Sequence, residues 1–137
     1  MTVRHKNKTF ATFLAATTGT AGVHRFYLHG AKDCLGWAHF LALPLALIVF
    51  LWRDLPLFAA IAPIYISMVI GLIEALAIGL TMDEKWDRIH NRNSGQQSAS
   101  GWPLAVLIVL TFGIGAIALI AAIARTFDLL LTGGAYG

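Results

Sequence analysis

The chain has 137 residues, of which 58% are hydrophobic and only 12% charged, with a formal net charge of +3. Soluble globular domains carry about 25% charged residues. This composition and a mean hydropathy of +0.72 therefore exclude an ordinary soluble domain and point to an all-α integral membrane protein. The basic residues flank apolar runs, as membrane insertion requires, which sets nucleic acid aside as a partner.

Residues 1–8 are polar and contain Arg4, Lys6 and Lys8. The first apolar segment, TFATFLAATTGTAGV, covers about residues 9–23. A basic start before a short apolar run also fits a signal peptide. Against that, the run is rich in Thr and Ala, and no clean cleavage site precedes HRFYL. As a helix the segment reaches about 22 Å at 1.5 Å per residue, short of a hydrocarbon core of about 30 Å. To span, it borrows flanking residues or sits in thin membrane.

The second segment, about residues 34–52, is long enough to cross. It contains His39, and Pro44 is expected to kink it. Arg53, Asp54, Leu55 and Pro56 form a turn so short that the second and third segments must be antiparallel neighbours. The third segment, about residues 57–81, carries one charge, Glu74. A polar tail runs to residue 93, and 94–103 reads as a flexible polar loop. A fourth apolar segment spans about residues 104–124, closed by Arg125, Asp128 and a Gly-rich tail.

The expected fold is four transmembrane helices in antiparallel hairpins. Residues 1–93 form one unit, and 104–137 add a helix and a short C-terminal tail. Four crossings put both termini on one side. Trp52 then marks one interface, and Trp37, Trp86 and Trp102 the other. Lys and Arg divide five against five, so the positive-inside rule does not orient the chain.

The stretch KNKTFATFLAATTGTAGVHRFYLHG resembles the opening of the TM-2 domain family, small proteins named for a pair of transmembrane segments. Lys8, Gly19, Gly22, His24, Arg25, Phe26, Tyr27 and Leu28 take the places of its motif. Further on, IEALAIGLTMDEKWDRIHN resembles the end of many bacterial members, through Glu74, Met82, Asp83, Glu84, Trp86 and Asn91. The resemblance covers about residues 7–93 and implies a multi-pass protein of a bacterial inner membrane. His29 stands where the family has its turn glycine, Glu74 stands for an aspartate, and the apolar segments beyond the pair extend the two-helix pattern.

Glu74 is the sharpest chemical anomaly. A charge near the bilayer centre costs about 2.5–3.5 kcal/mol on insertion scales, so it must face protein and find a partner. His39 lies at a similar depth from the same side, with His24, Arg25 and Tyr27 at the adjoining interface. A cluster there reads as a proton, ion or headgroup site, or more plainly as an ion pair that fixes helix register. Ser67, Gly71, Ala75 and Gly79 recur every four residues, and Gly19, Gly22 and Gly115 supply further smooth faces for close helix packing. His24, His29, Cys34 and His39 recur every five residues, a spacing that does not share a helix face, so no metal is expected.

No nucleophile–base pair or phosphate loop is present, and neither an enzyme nor a cofactor is expected. The first expectation for function is an interaction, assembly or lipid-contacting membrane component. Its polar face would be built from the HRFYL turn (His24, Arg25, Phe26, Tyr27 and Leu28) and residues 82–103, with Trp86. The alternative is a small transporter or ion or proton pathway through Glu74 and His39, formed by an oligomer. Expected partners are membrane lipids, a second copy or another membrane protein.

Overall fold

The computed structural model describes residues 5–52 and 57–135, and every regular element in them is helical. Three of these helices are long and apolar enough to cross a membrane: α3 (Cys34–Leu51), α4 (Leu57–Leu80) and α6 (Trp102–Thr132). The turn expected at residues 53–56 lies outside the described residues.

The first apolar segment is not a fourth long helix. It forms α1 (Lys8–Thr18), only 11 residues or about 16 Å. A single 3-10 turn at Gly19–Ala21 follows, then the seven-residue α2 (Val23–His29). Gly22 joins the last two with φ 69°, a left-handed conformation that costs a side-chain-bearing residue about 1–2 kcal/mol.

This break folds the segment back on itself. Lys8 Nζ donates to Thr81 O at the end of α4, at 2.8 Å, so α1 starts beside that end. Further along the hairpin, Gly19 lies back to back with Gly71, where an added Cβ would meet the Gly71 Cα at 2.9 Å. Thr20 O accepts from Ser67, deeper still along α4. Then the chain returns. Asn7 N–H donates to the Tyr27 hydroxyl at 3.0 Å, and Lys6 Nζ donates to Leu28 O. The segment enters and leaves at the same end of the bundle, as a helical hairpin.

Lys6 and Lys8 place ammonium groups against the C-terminal carbonyls of α2 and near that of α4, where the helix dipole favours a cation. Lys8 is nearly inaccessible and also pairs with Asp83.

The long helices alternate in direction. His39 on α3 meets Ser67 on α4, and Gly22 packs under Gly36. On α6, Ile108 fills the notch at Gly79, Gly115 faces Leu72, and Ala118 O accepts from the Tyr65 hydroxyl. Both α3 and α6 therefore run antiparallel to α4. His5 and the start of α6 lie at one end of the bundle and Thr132 at the other, which replaces the expectation of both termini together.

At the shared end, the polar tail folds into α5 (Asp83–His90). Trp86 is 2% exposed, packs with Ala11 and Leu28, and donates its indole N–H to Lys6 O at 2.9 Å. The stretch expected as a flexible loop is pinned at two points. Asp87 accepts from the Ser98 amide and hydroxyl, and Asp83 from those of Ser100. Burial alone would raise Asp83, but Lys8 and Ser100 outweigh it and hold its carboxyl at about 2. The helix α6 runs on past the expected end at residue 124, to Thr132. Arg125 pairs with Asp128 one turn on, so both charges stay within the helix.

Candidate functional site

The hairpin delivers two consecutive residues to one carboxylate. Glu74 sits about 9 Å along α4 from the end of that helix at Leu80. The left-handed turn at Gly22 aims α2 at it. His24 Nε2 lies 2.7 Å from Glu74 Oε2, and Arg25 donates to Oε1. Arg25 also reaches outward, with Nε 2.8 Å from Asp33 Oδ1 and a second nitrogen 3.3 Å from Oδ2. Asp33 caps α3 by accepting from the Gly36 amide at 2.6 Å. The Arg25 hydrogen bond, helped by that amide, lowers the Asp33 carboxyl to about 2.

From α3, His39 Nε2 stands 3.2 Å from the same Glu74 oxygen that His24 touches. The two imidazoles meet edge to face with centroids 5.8 Å apart. His39 Nδ1 lies 2.7 Å from Ser67 Oγ, and Ser67 donates to Thr20 O at 2.8 Å. One polar chain therefore runs from Asp33 at the bundle end, through Arg25, Glu74 and His39, to the hairpin tip. His24 and His39 are 1% and 6% exposed, while Glu74 keeps 22%.

That remaining exposure opens sideways. Between α3 and α4 lies a groove of about 680 Å³, with Leu41, Leu45, Ile66 and Ile70 among its walls and His39, Ser67 and Glu74 contributing polar groups. Pro44 and Pro63 both line it, one from each helix.

Several expected site residues take different places. Tyr27 is not part of the cluster: its hydroxyl accepts from Asn7, and its ring packs edge-on against Phe10. Phe26 packs against Trp37 and covers Gly36. Leu28 and Trp86 are core residues, so the docking face expected from the HRFYL turn and Trp86 is largely internal. The physical reason is the fold-back, which turns His24 inward to Glu74 and buries Leu28 beneath Trp86. His29 faces His90 across 5.9 Å, and Cys34 is exposed. Among the described residues, no group of His, Cys, Asp and Glu is arranged to hold a metal ion.

Of the small residues, Gly19, Gly22, Gly71 and Gly79 sit where an added Cβ would come within 3.0 Å of a neighbour, and Ala75 is fully buried. Gly115 is looser, with its nearest neighbour at 3.7 Å. Asp33, Ser67 and Thr20 are the members that sequence reasoning missed. Asp33 carried a readable signal, since a carboxylate just before an apolar helix is an N-cap that can also face Arg25. Ser67 read as a small packing residue, and it does pack closely, but its hydroxyl matters as well.

The matched stretch coincides with this architecture. The family model of the TM2 domain matches residues 4–53. The TM2 match contains α1, the hairpin turn, α2 and α3, hence His24, Arg25, Asp33 and His39. It stops before α4, so Glu74 and Ser67 come from outside it. No curated protein and no solved structure matches the chain.

Proposed function

We propose that this protein is a small multi-pass component of a cell membrane, of the bacterial inner-membrane kind, that holds an amphiphile in the groove between α3 and α4. The observation that carries this reading is a lipid-facing apolar groove with a carboxylate and a histidine within it. Glu74 is the carboxylate of the groove and keeps 22% exposure. A tail among Leu41, Leu45, Ile66 and Ile70 with an ammonium head at Glu74 satisfies both parts of the site. The test is mass spectrometry of the protein extracted in native lipid discs. Retained aminolipid that is lost in Leu45→Trp, with the helices intact, supports the reading. Equal lipid in both forms overturns it.

The membrane topology proposed here is three crossings plus a re-entrant hairpin. It resolves the even division of charge. Lys6, Lys8, Arg25, Lys32, Lys85, Arg88 and Arg92 gather at one end of the bundle, and among the described residues only Arg125 lies toward the other. The positive-inside rule then places the hairpin end, α5 and Cys34 in the cytoplasm. Exposed Cys34 is a built-in reporter. An impermeant maleimide should label it in inverted vesicles and not in right-side-out ones. Tags on the two termini should be cleaved from opposite sides, whereas four crossings expose both together.

A second reading, an ion or proton pathway, draws support from the polar chain between Asp33 and Thr20. That chain stops at the hairpin tip, so a full pathway needs a second copy or a membrane partner to continue it. Proton flux in proteoliposomes that disappears in Glu74→Gln supports it; unchanged flux removes it.

A further inference from the structure

We infer that the Glu74 cluster binds one proton, carried by His39, and that this proton ties the tip of the re-entrant hairpin to α4. The argument is a count of hydrogens. Ser67 has one hydroxyl hydrogen, and Thr20 O, 2.8 Å away, can only accept. With that hydrogen committed, the 2.7 Å contact between Ser67 Oγ and His39 Nδ1 requires the histidine to donate. A neutral His39 protonated at Nδ1 then presents the bare lone pair of Nε2 to Glu74 Oε2 at 3.2 Å. Lone pair against carboxylate is repulsive. A proton on Nε2 converts it into a charge-assisted hydrogen bond.

The charge count agrees independently. Asp33, Arg25 and Glu74 sum to one negative charge, which is unfavourable away from water. Protonated His39 completes an alternating row, Asp33, Arg25, Glu74, His39, that sums to zero. His24 is not the carrier. It is 1% exposed, and its Nδ1 has no partner. As an imidazolium it would bury an unsatisfied N–H, whereas the neutral tautomer donating from Nε2 to Glu74 leaves only a lone pair there. The ionisable groups facing His39 are thus Glu74 from α4 and His24 and Arg25 from α2. The 3-10 turn contributes only the Thr20 carbonyl.

Loss of the proton has a defined structural consequence. Neutral His39 keeps an N–H toward Glu74 by moving its hydrogen to Nε2. Nδ1 then becomes an acceptor and takes the Ser67 hydrogen, so Thr20 O loses its donor. The protonation state of His39 therefore sets whether the hairpin tip is tethered to α4. Because His39 and Ser67 line the groove, the switch faces the same lateral opening. The inference rests on the cluster alone and stands whether or not a lipid occupies the groove.

The test is nitrogen-15 and carbon-13 NMR, in lipid bilayers from about pH 5 to about pH 9, of protein labelled with nitrogen-15 in histidine and carbon-13 at the threonine carbonyls, over the range in which histidines change charge. His39 is assigned by its disappearance in His39→Gln. The expected result is both His39 nitrogens protonated at low pH, one losing its proton as pH rises, and the Thr20 carbonyl shift moving with it. In Glu74→Gln, Arg25 and Asp33 already balance, so His39 should be neutral across the range. A wild-type His39 that stays a neutral Nε2–H tautomer at every pH, with an unmoving Thr20 signal, overturns the inference. The wild-type titration decides the matter even if Glu74→Gln does not fold. Retained lipid in the native discs is a separate measurement, so the groove reading and the proton switch fail separately.

Discussion

The unit from α1 to α5 and the helix α6 are held by different physics. In the first, backbones touch at Gly19 and Gly71, lysines cap helix ends, and an intramembrane charge row links α2, α3 and α4. By contrast, α6 buries only Leu104 and Thr111 of its 31 residues and meets α4 through Ile108 at Gly79, Leu72 at Gly115 and one Tyr65 hydroxyl, with no backbone-to-backbone approach at these glycines. Apolar surface gains nothing by leaving lipid for protein, so packing in a membrane needs close approach or polar bonds. The first unit has both. For α6, lipid is nearly as good a neighbour.

The strongest way to break this contrast is at the turn. Gly22→Ala forces a side chain into the left-handed region and puts its Cβ 2.5 Å from Gly36 O, which is backbone and does not yield cheaply. The conformational cost alone is about 1–2 kcal/mol, and overpacking adds about 1–3 kcal/mol, so the total should be about 2–5 kcal/mol. Unfolding in mixed micelles measures it. Cys34 labelling should become two-sided if the hairpin loses its re-entrant path.

Arg25→Ala comes next. It leaves Glu74 and Asp33 without their shared cation. Breaking a fully buried pair costs about 3–5 kcal/mol. Partial exposure of both partners reduces this to about 2 kcal/mol, since water screens what it reaches. Arg25→Lys should recover part of the loss, because lysine supplies the charge without the fork that bridges two carboxylates. Full recovery would mean that the charge matters and the bridging geometry does not.

Mild acid should loosen the polar end. Burial lowers His90 below the usual histidine range, with Lys6 and His29 adding to it, while its ring lies 4.3 Å from that of Trp86. A histidine with a lowered folded pKa stabilises above its unfolded value of 6.5 and loses that contribution as pH falls below it. Asp83 loses its contribution in the same direction but over a lower range. Its contribution is full above 3.8 and fades only toward about 2. Between about pH 6.5 and pH 4, then, the α5 amides should lose protection relative to their intrinsic exchange rates while the Asp83–Ser100 bonds persist. His90→Phe should abolish the change.

Much of this was legible in the sequence, and the failures share a cause. Composition gives the membrane, and the similar depth of Glu74 and His39 from one interface is enough to pair them. Four-residue spacing picks out Gly71, Ala75 and Gly79, all buried on one side of α4. The first segment misleads because TFATFLAATTGTAGV is apolar enough to suggest a crossing, and hydropathy does not register chain reversal. The decisive signal was already in the letters: a segment too short to span, ending in Gly-x-x-Gly and followed at once by His and Arg. A helix that reaches only halfway needs a turn, and two polar residues just past that turn need a buried acid. Trp86 misleads for a similar reason. A tryptophan near a membrane edge usually anchors at the interface, but here α5 folds over the hairpin and closes on it.

The smallest expected effect is the sharpest control. Gly115→Ala on α6 adds a methyl that meets Leu72 at 3.7 Å, an ordinary contact in open packing. Helix propensity favours alanine by about 0.8–1 kcal/mol, so the change should be neutral or stabilising by up to that amount. Gly71→Ala offers the same propensity gain on α4, yet its methyl meets the Gly19 backbone at 2.9 Å. The two helices would have to part, taking Ser67 from Thr20 and Glu74 from His24. The same substitution should therefore have opposite signs on the two helices, read in one unfolding experiment. Equal effects would mean that α4 gains no more from the hairpin than from α6, and that the close approach of Gly19 and Gly71 contributes nothing to stability.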